Sequence, residues 1–292
     1  KIYKREFVLN SYLIDRVSRL YVALIPALIL TFFLDYIGSS TMKDIGFWDH
    51  NHPLINEKNP GASFESKLIF ENLLGNILML QYFFIDTLGS NGPLWTISAE
   101  FWFYMVFGLF AFFKLSIGNF KLFSVFCISI IFISLFKLKF FILLGYWMIG
   151  LIVGTVKYSI NIRPAIALGL LVIALVLSRF FINQDTTQFE ITIMYYFVAF
   201  SFGTLVFSMR SKNINLLNRM KNINSFLASF SFSLYLIHFP LMLFILALVE
   251  SLGLFPLIAF GYQPNNLNGL LLYVFVIVTI YLLSYIFSLI TE

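Results

Sequence analysis

The sequence predicts an all-α protein: a polytopic transmembrane helical bundle of about eight spans, with one further segment that enters the bilayer without crossing it. Three observations predict this. The 292 residues are 60% hydrophobic and only 11% charged, with 37 phenylalanines, whereas soluble domains carry about 25% charged residues. A chain this apolar cannot cover itself with polar surface, so lipid is its solvent. Its apolar residues fall into runs of roughly 17–25 residues, the length that crosses a bilayer core. Its lysines and arginines cluster in the short connections between those runs, as the positive-inside rule requires. No Pro-, Ser- or Gly-rich linker divides the chain, so residues 1–292 read as a single membrane domain.

The runs lie near 20–37, 94–113, 120–137, 139–157, 163–182, 191–209, 224–250 and 269–290. Lys1, Lys4, Arg5, Arg16 and Arg19 place the N-terminal stretch in the cytoplasm. The connection 38–67, with Asp44, Asp49, Glu57 and Glu65 against three lysines, is then outside. Arg210, Lys212, Arg219 and Lys221 hold 210–223 inside, and 183–190 and 251–268, which contain no Lys or Arg, fall outside. These assignments agree only if 68–93 makes no net crossing. The run 68–84 carries Glu71, Asn72, Gly75, Asn76 and Gln81, too polar for a lipid-facing span, and reads as re-entrant or interfacial. The formal charge of +5 therefore reflects topology and anionic lipid, not a nucleic-acid partner. Cys127 is the single cysteine, which excludes an internal disulfide and a cysteine-based metal site.

In lipid the polar residues inform most, because burying an ionisable group costs about 2.5–3.5 kcal/mol at mid-helix on insertion scales. Glu100 stands in such a run, and Thr96, Glu100 and Tyr104 recur every four residues on one helical face. The plainer reading is a glutamate at the interface, satisfied by a neighbouring arginine. His238 lies inside the run 224–250, with Ser231 and Tyr235 on its face and Pro240 set to kink the helix. Its plainer reading is a packed histidine bonded to a helix carbonyl. Arg16 and Arg19, three apart at the cytoplasmic mouth of the first run, suit one anionic group, or serve only as positive-inside anchors. His50 and His52 alternate in an outer loop without an obvious third ligand, and read as polar loop residues, with no metal assigned. Trp48, Trp95, Trp102 and Trp147 read as interface or packing residues.

Three stretches together resemble the acyltransferase 3 family of bacterial integral-membrane O-acyltransferases. Residues 12–26 resemble its basic segment ending in Arg-x-x-Arg-[Ile/Leu]-Tyr, with Val22 where the family often has Pro. Residues 72–104 resemble its Asn-x-x-x-Leu-Gln stretch followed by Pro-Leu-Trp-Ser-Leu-Ser-x-Glu-x-x-x-Tyr, here Pro93-Leu94-Trp95-Thr96-Ile97-Ser98-Ala99-Glu100 and then Tyr104. Residues 231–240 resemble its late Ser-Tyr-x-x-Tyr-Leu-x-His-x-Pro. The family normally opens with two further spans, the first carrying a histidine and a basic residue that act on the donor. The resemblance thus implies a chain lacking the family's first two spans, ten in all when these are added.

What the resemblance implies is transfer of an acyl group, usually acetyl, from a cytoplasmic thioester such as acetyl-CoA to a hydroxyl of a surface glycan. No bound cofactor is implied; acyl-CoA is a substrate, and the setting is the bacterial inner membrane. Glu100 and His238 are then the candidate catalytic residues, and Arg16 and Arg19 the candidates for donor phosphates. Trp95, Ser98, Tyr104 and Tyr235 would bind substrate or support the site. A proton-coupled transporter or lipid-linked glycan flippase, with Glu100 and His238 as relay, is the rival from another class. An inactive paralogue is the third reading.

Overall fold

The structure is a computed structural model, and it describes residues 9–52, 55, 63–81, 83–116, 124, 138–156, 162–182, 186–210, 219–254 and 266–291. These residues are helical almost throughout. Among them the only strand-like pairing is an isolated bridge between Gln81 and Ile85. Nine α-helices are described: α1 Leu9–Thr41, α2 Phe70–Ile77, α3 Trp95–Ser116, α4 Leu138–Thr155, α5 Pro164–Phe181, α6 Gln188–Met209, α7 Lys221–Ser229, α8 Ser231–Ser251 and α9 Leu267–Thr291. Six of them have described stretches long and apolar enough to cross a membrane: α1, α4, α5, α6, α8 and α9. The run 94–113 is realised as α3, a helix of 22 residues. The run 120–137 lies outside the described residues, apart from Ser124.

The chain gathers into two compact units, one of Lys1–Cys127 with Ser225–Glu292 and one of Ile128–Asn224. In the first, α1 packs on α3 and α8, and α8 packs on α9. One stripe of α1 is buried, through Leu20, Ala23, Leu24, Ala27, Leu28, Thr31 and Asp35, while Val22, Ile29, Phe33 and Tyr36 are exposed. The three- and four-residue steps of that stripe are those of a helix face. The buried face of α9 is built on Gly269, Leu272, Val276, Ile280, Ser284 and Ser288, whose small residues let helices approach closely where lipid offers no hydrophobic drive.

Among the described residues of the second unit, α6 packs on α4 and α5. Thr187 and Glu190 form a capping box at the start of α6. Tyr196 donates to the Ile142 carbonyl at 3.0 Å, across the gap that Gly145 leaves open. Arg210 donates to the Val153 and Val156 carbonyls, satisfying the end of α4.

Two boundaries differ from the sequence reading. Helix α1 is already helical at Leu9, the first described residue, so the leader residues Arg16 and Arg19 are themselves helical. The run 224–250 is not one helix: it breaks at Phe230, whose φ of −122° leaves the helical region. Serines supply the reason, since Ser229 and Ser231 turn back onto the Phe226 and Ala228 carbonyls and compete with the helix ladder. The Phe230 ring is buried against Tyr281 and Tyr285 of α9, which fixes the break. Beyond it α8 runs continuously through Pro240.

The segment 68–94 sets up everything that follows. Helix α2 has eight residues, about 12 Å at 1.5 Å per residue, too short to cross. After it the chain turns at Met79, with φ of 57°, and continues as irregular backbone in which Gln81, Ser90 and Asn91 are fully buried. Asp35 of α1, itself fully buried, holds this segment. Its carboxylate accepts from Ser90 N at 2.7 Å, Ser90 Oγ at 2.8 Å and Trp48 Nε1 at 2.8 Å. Gly38 gives the indole its space, since a Cβ there would lie 2.1 Å from the Trp48 ring. Replacing Asp35 by alanine strands three buried donors. The expected cost is about 3 kcal/mol or more, at about 1–3 kcal/mol per stranded group, read as a fall in the unfolding midpoint of the purified protein. Asp35→Asn, which keeps an acceptor, is expected to lose less.

Candidate functional site

Helix α3 carries the site because of how it begins. Asn91, Gly92 and Pro93 lead through a short 3-10 turn, Gly92–Leu94, into Trp95, and the proline fits there because a helix start needs no donor from it. From that start the four-residue spacing delivers Thr96, Glu100 and Tyr104 to one face, where neighbouring helices meet Thr96 and Tyr104 and Glu100 is bonded to Tyr104 of its own helix.

At the first position the Thr96 hydroxyl is bonded to the Tyr235 hydroxyl of α8, and Tyr235 also reaches the Pro93 carbonyl at 2.7 Å. One turn on, Tyr104 donates its hydroxyl to Glu100 Oε1. A further contact comes from α1, where Tyr12 donates to the Tyr104 carbonyl at 3.1 Å. The Arg16 guanidinium lies over two rings, 5.1 Å from the Tyr104 centroid and 5.5 Å from that of Tyr12. This geometry favours a cation by the quadrupole of each ring. Arg16 Nε is buried and meets no hydrogen-bond acceptor among the described residues. Arg19 is exposed, and its charge, like that of Arg16, reaches the Tyr104 hydroxyl. The result is a polar column along α3, roughly 12 Å from Thr96 to Tyr104 at 1.5 Å per residue. Two arginines stand at one end and Tyr235 at the other.

His238 joins the column through Tyr235. Their rings lie 5.8 Å apart. His238 Nδ1 is 2.8 Å from the Tyr235 carbonyl and 3.2 Å from that of Leu234. Carbonyls only accept, so Nδ1 carries the proton and Nε2 of the neutral ring keeps its lone pair, the form a general base needs. The helix-carbonyl bond named as the plainer reading is thus present, and it selects the tautomer. His238 also lines a cleft of about 360 Å³ between α8 and α9, with Leu234, Tyr235, Ile277, Ile280 and Tyr281. Among the described residues no hydrogen bond joins His238 to Glu100.

Ser98 turns away from this column. Ser98 is fully buried and donates to the Met79 carbonyl at 2.5 Å, to which Trp102 Nε1 also donates at 2.8 Å. Ser98 therefore supports the turn at Met79. Trp95 is half-buried at the first position of α3. In the loop that follows α1, His52 pairs with Glu250 at 3.4 Å and packs edge-on against Phe47, and His50 packs against Phe64.

Four contributors escaped the sequence reading: Tyr12, Tyr21, Asp35 and Asn91. Asp35 carried a signal, being an ionisable group in an apolar run. Asn91 carried one in its place before Gly92-Pro93. Tyr21, which donates to the Ile77 carbonyl at 2.6 Å, carried one as the tyrosine that closes the Arg-x-x-Arg-[Ile/Leu]-Tyr stretch, and Tyr12 carried none.

The double support of Met79 makes a prediction. Ser98→Ala is expected to cost under about 1 kcal/mol, because Trp102 still serves the carbonyl. Ser98→Ala with Trp102→Phe is expected to cost more than the two single changes summed. A double-mutant cycle of unfolding free energies in mixed micelles checks this.

The comparisons fit this arrangement. The model of the acyltransferase domain of the acyltransferase 3 family matches residues 2–289. No curated protein matches the chain, and no solved structure does. With its motif residues gathered on α1, α3 and α8 and the family match running over nearly its whole length, this multi-pass membrane protein belongs to the acyltransferase 3 family and is an acyltransferase.

Proposed function

We propose that the protein transfers an acyl group, acetyl in the simplest case, from a cytoplasmic acyl-CoA to a hydroxyl of a cell-surface glycan. The setting is the bacterial inner membrane. The observation that carries this reading is the column from Arg16 through Tyr104 and Glu100 to Thr96 and Tyr235. It joins an anion-binding end to a hydrogen-bonding end within a protein whose family performs acyl transfer.

The chemistry needs cations for the donor's phosphates, a base for the acceptor hydroxyl and donors for the oxyanion. Arg16 is held by the faces of Tyr12 and Tyr104 and by a hydrogen bond with Tyr12, and we assign its remaining N–H groups to phosphate oxygens. Arg19, exposed one turn along α1, adds a second cation. Glu100 Oε1 accepts a hydrogen bond from the Tyr104 hydroxyl, which orients the carboxylate and leaves Oε2 to accept from a substrate hydroxyl. His238 Nε2 is the second candidate base. In the transfer the acceptor O–H loses its proton to the base as its oxygen attacks the thioester carbonyl. The C–S bond then breaks, and the CoA thiolate leaves and takes up a proton. Tyr235 and Trp95 are assigned to holding the acceptor or donor against this line.

The family match sets aside the transporter and flippase readings, whose residues would be the same Glu100 and His238. The test is acyl transfer from radiolabelled acetyl-CoA into glycan by membranes carrying the protein. Glu100→Gln, which keeps the shape and removes the charge, is expected to lower turnover about a hundredfold or more. Unchanged transfer would sink the role given to Glu100. Arg16→Gln is expected to raise KM for acyl-CoA about tenfold, the loss of one charge-assisted contact, with a smaller change in kcat.

A further inference from the structure

We propose that Asn91 is a positioning residue of this site: it supplies, from outside the helix, the hydrogen bond that Pro240 withholds from the Leu236 carbonyl of α8. The inference rests on the preceding assignment of Tyr235 and His238 to the site.

In an α-helix the N–H of each residue serves the carbonyl four residues earlier. Proline has no N–H, so Pro240 leaves the Leu236 carbonyl without its ladder partner. Leu236 is fully buried, and in this setting a stranded carbonyl is costly. Asn91, also fully buried, donates Nδ2 to that oxygen at 2.8 Å. The same amide donates to Thr31 Oγ1 of α1 at 2.9 Å. Its chain neighbour Ser90 is held by Asp35 through both backbone and side chain. The donor is therefore fixed by α1 before it reaches α8.

The place of the missing bond matters. His238 stands midway between Leu236 and Pro240, inside the one turn that lacks its bond. One residue before that turn, Tyr235 is fastened to the Pro93 carbonyl and the Thr96 hydroxyl. Residues 91–96 thus grip α8 at two adjacent residues, 235 and 236. Together these grips set where His238 stands relative to Thr96 and Glu100. Without Asn91 the turn is free to open, and the imidazole moves with it.

A cycle of four full-length proteins tests this: wild type, N91A, P240A and N91A/P240A, purified and assayed for unfolding midpoint, kcat and KM. Asn91→Ala is expected to lower kcat per folded molecule about tenfold, with KM for acyl-CoA little changed. Pro240→Ala returns an N–H to the helix, so N91A/P240A is expected to recover most of that loss in both kcat and midpoint. Failure of N91A alone to accumulate, with N91A/P240A folding normally, is the same rescue in another form. Equal losses from Asn91→Ala in both backgrounds would overturn the proposal. So would a lower midpoint with kcat per folded molecule unchanged, the mark of a merely structural bond. Wild type without acyl transfer would overturn the proposed function and, with it, the positioning role. The unfolding cycle would still decide whether Asn91 replaces the proline's donor.

Discussion

Peptide groups that leave a helix inside a bilayer have no water to turn to, and each must find its partner in the protein. The same need falls on the described backbone of residues 78–94, where Met79, Gln81, Ser90 and Asn91 are buried by protein. Asp35 takes the backbone and side chain of Ser90, Gln81 serves the Leu94 carbonyl, Asn76 serves those of Asn72 and Asp86, and Ser98 with Trp102 serves Met79. Polar side chains that look misplaced in an apolar chain are the means by which irregular backbone survives there. A carboxylate at Asp35 is tolerable on the same terms, because three donors surround it.

The polar column depends on that support. Helix α3 starts where the irregular segment ends, so the level and rotation of Thr96, Glu100 and Tyr104 follow from how residues 90–94 are held. The column then meets α1 through Tyr12 and Arg16 and α8 through Tyr235. Three helices contribute one group or more apiece, and none of them holds the arrangement alone. Short polar contacts do the locating, while the broad apolar faces of α1, α8 and α9 supply the packing.

Much of this was legible in the sequence, for local reasons. The four-residue spacing of Thr96, Glu100 and Tyr104 needs only helix geometry, and that face is the one the column uses. The polarity of Glu71 to Gln81 gave away a segment that does not span, realised as the eight-residue α2. The carbonyl bond of His238 was foreseen as its plainer reading, since it lies within one turn. Long-range choices were hidden. Nothing local tells that Tyr12 will meet Tyr104, that Trp48 will fold back onto Asp35, or that Ser98 will point at Met79 and away from the Glu100 face. Hydropathy also ran straight through Phe230, because a break made by serines and one buried ring leaves apolar content unchanged. Pro240, expected to kink its helix, lies inside the helix Ser231–Ser251, and its lost bond is made good by Asn91, a residue distant in sequence.

That last feature bears on how such a sequence can drift. A helix that loses the proline gains a donor of its own, and the asparagine becomes dispensable. A helix that loses the asparagine first is left with a bare carbonyl in its middle. The two replacements are therefore not interchangeable in order. Descent through the proline change is a passable route, whereas descent through the asparagine change crosses a defective intermediate. The dependence between these distant residues therefore runs one way: Pro240 requires Asn91, and Asn91 can outlast Pro240.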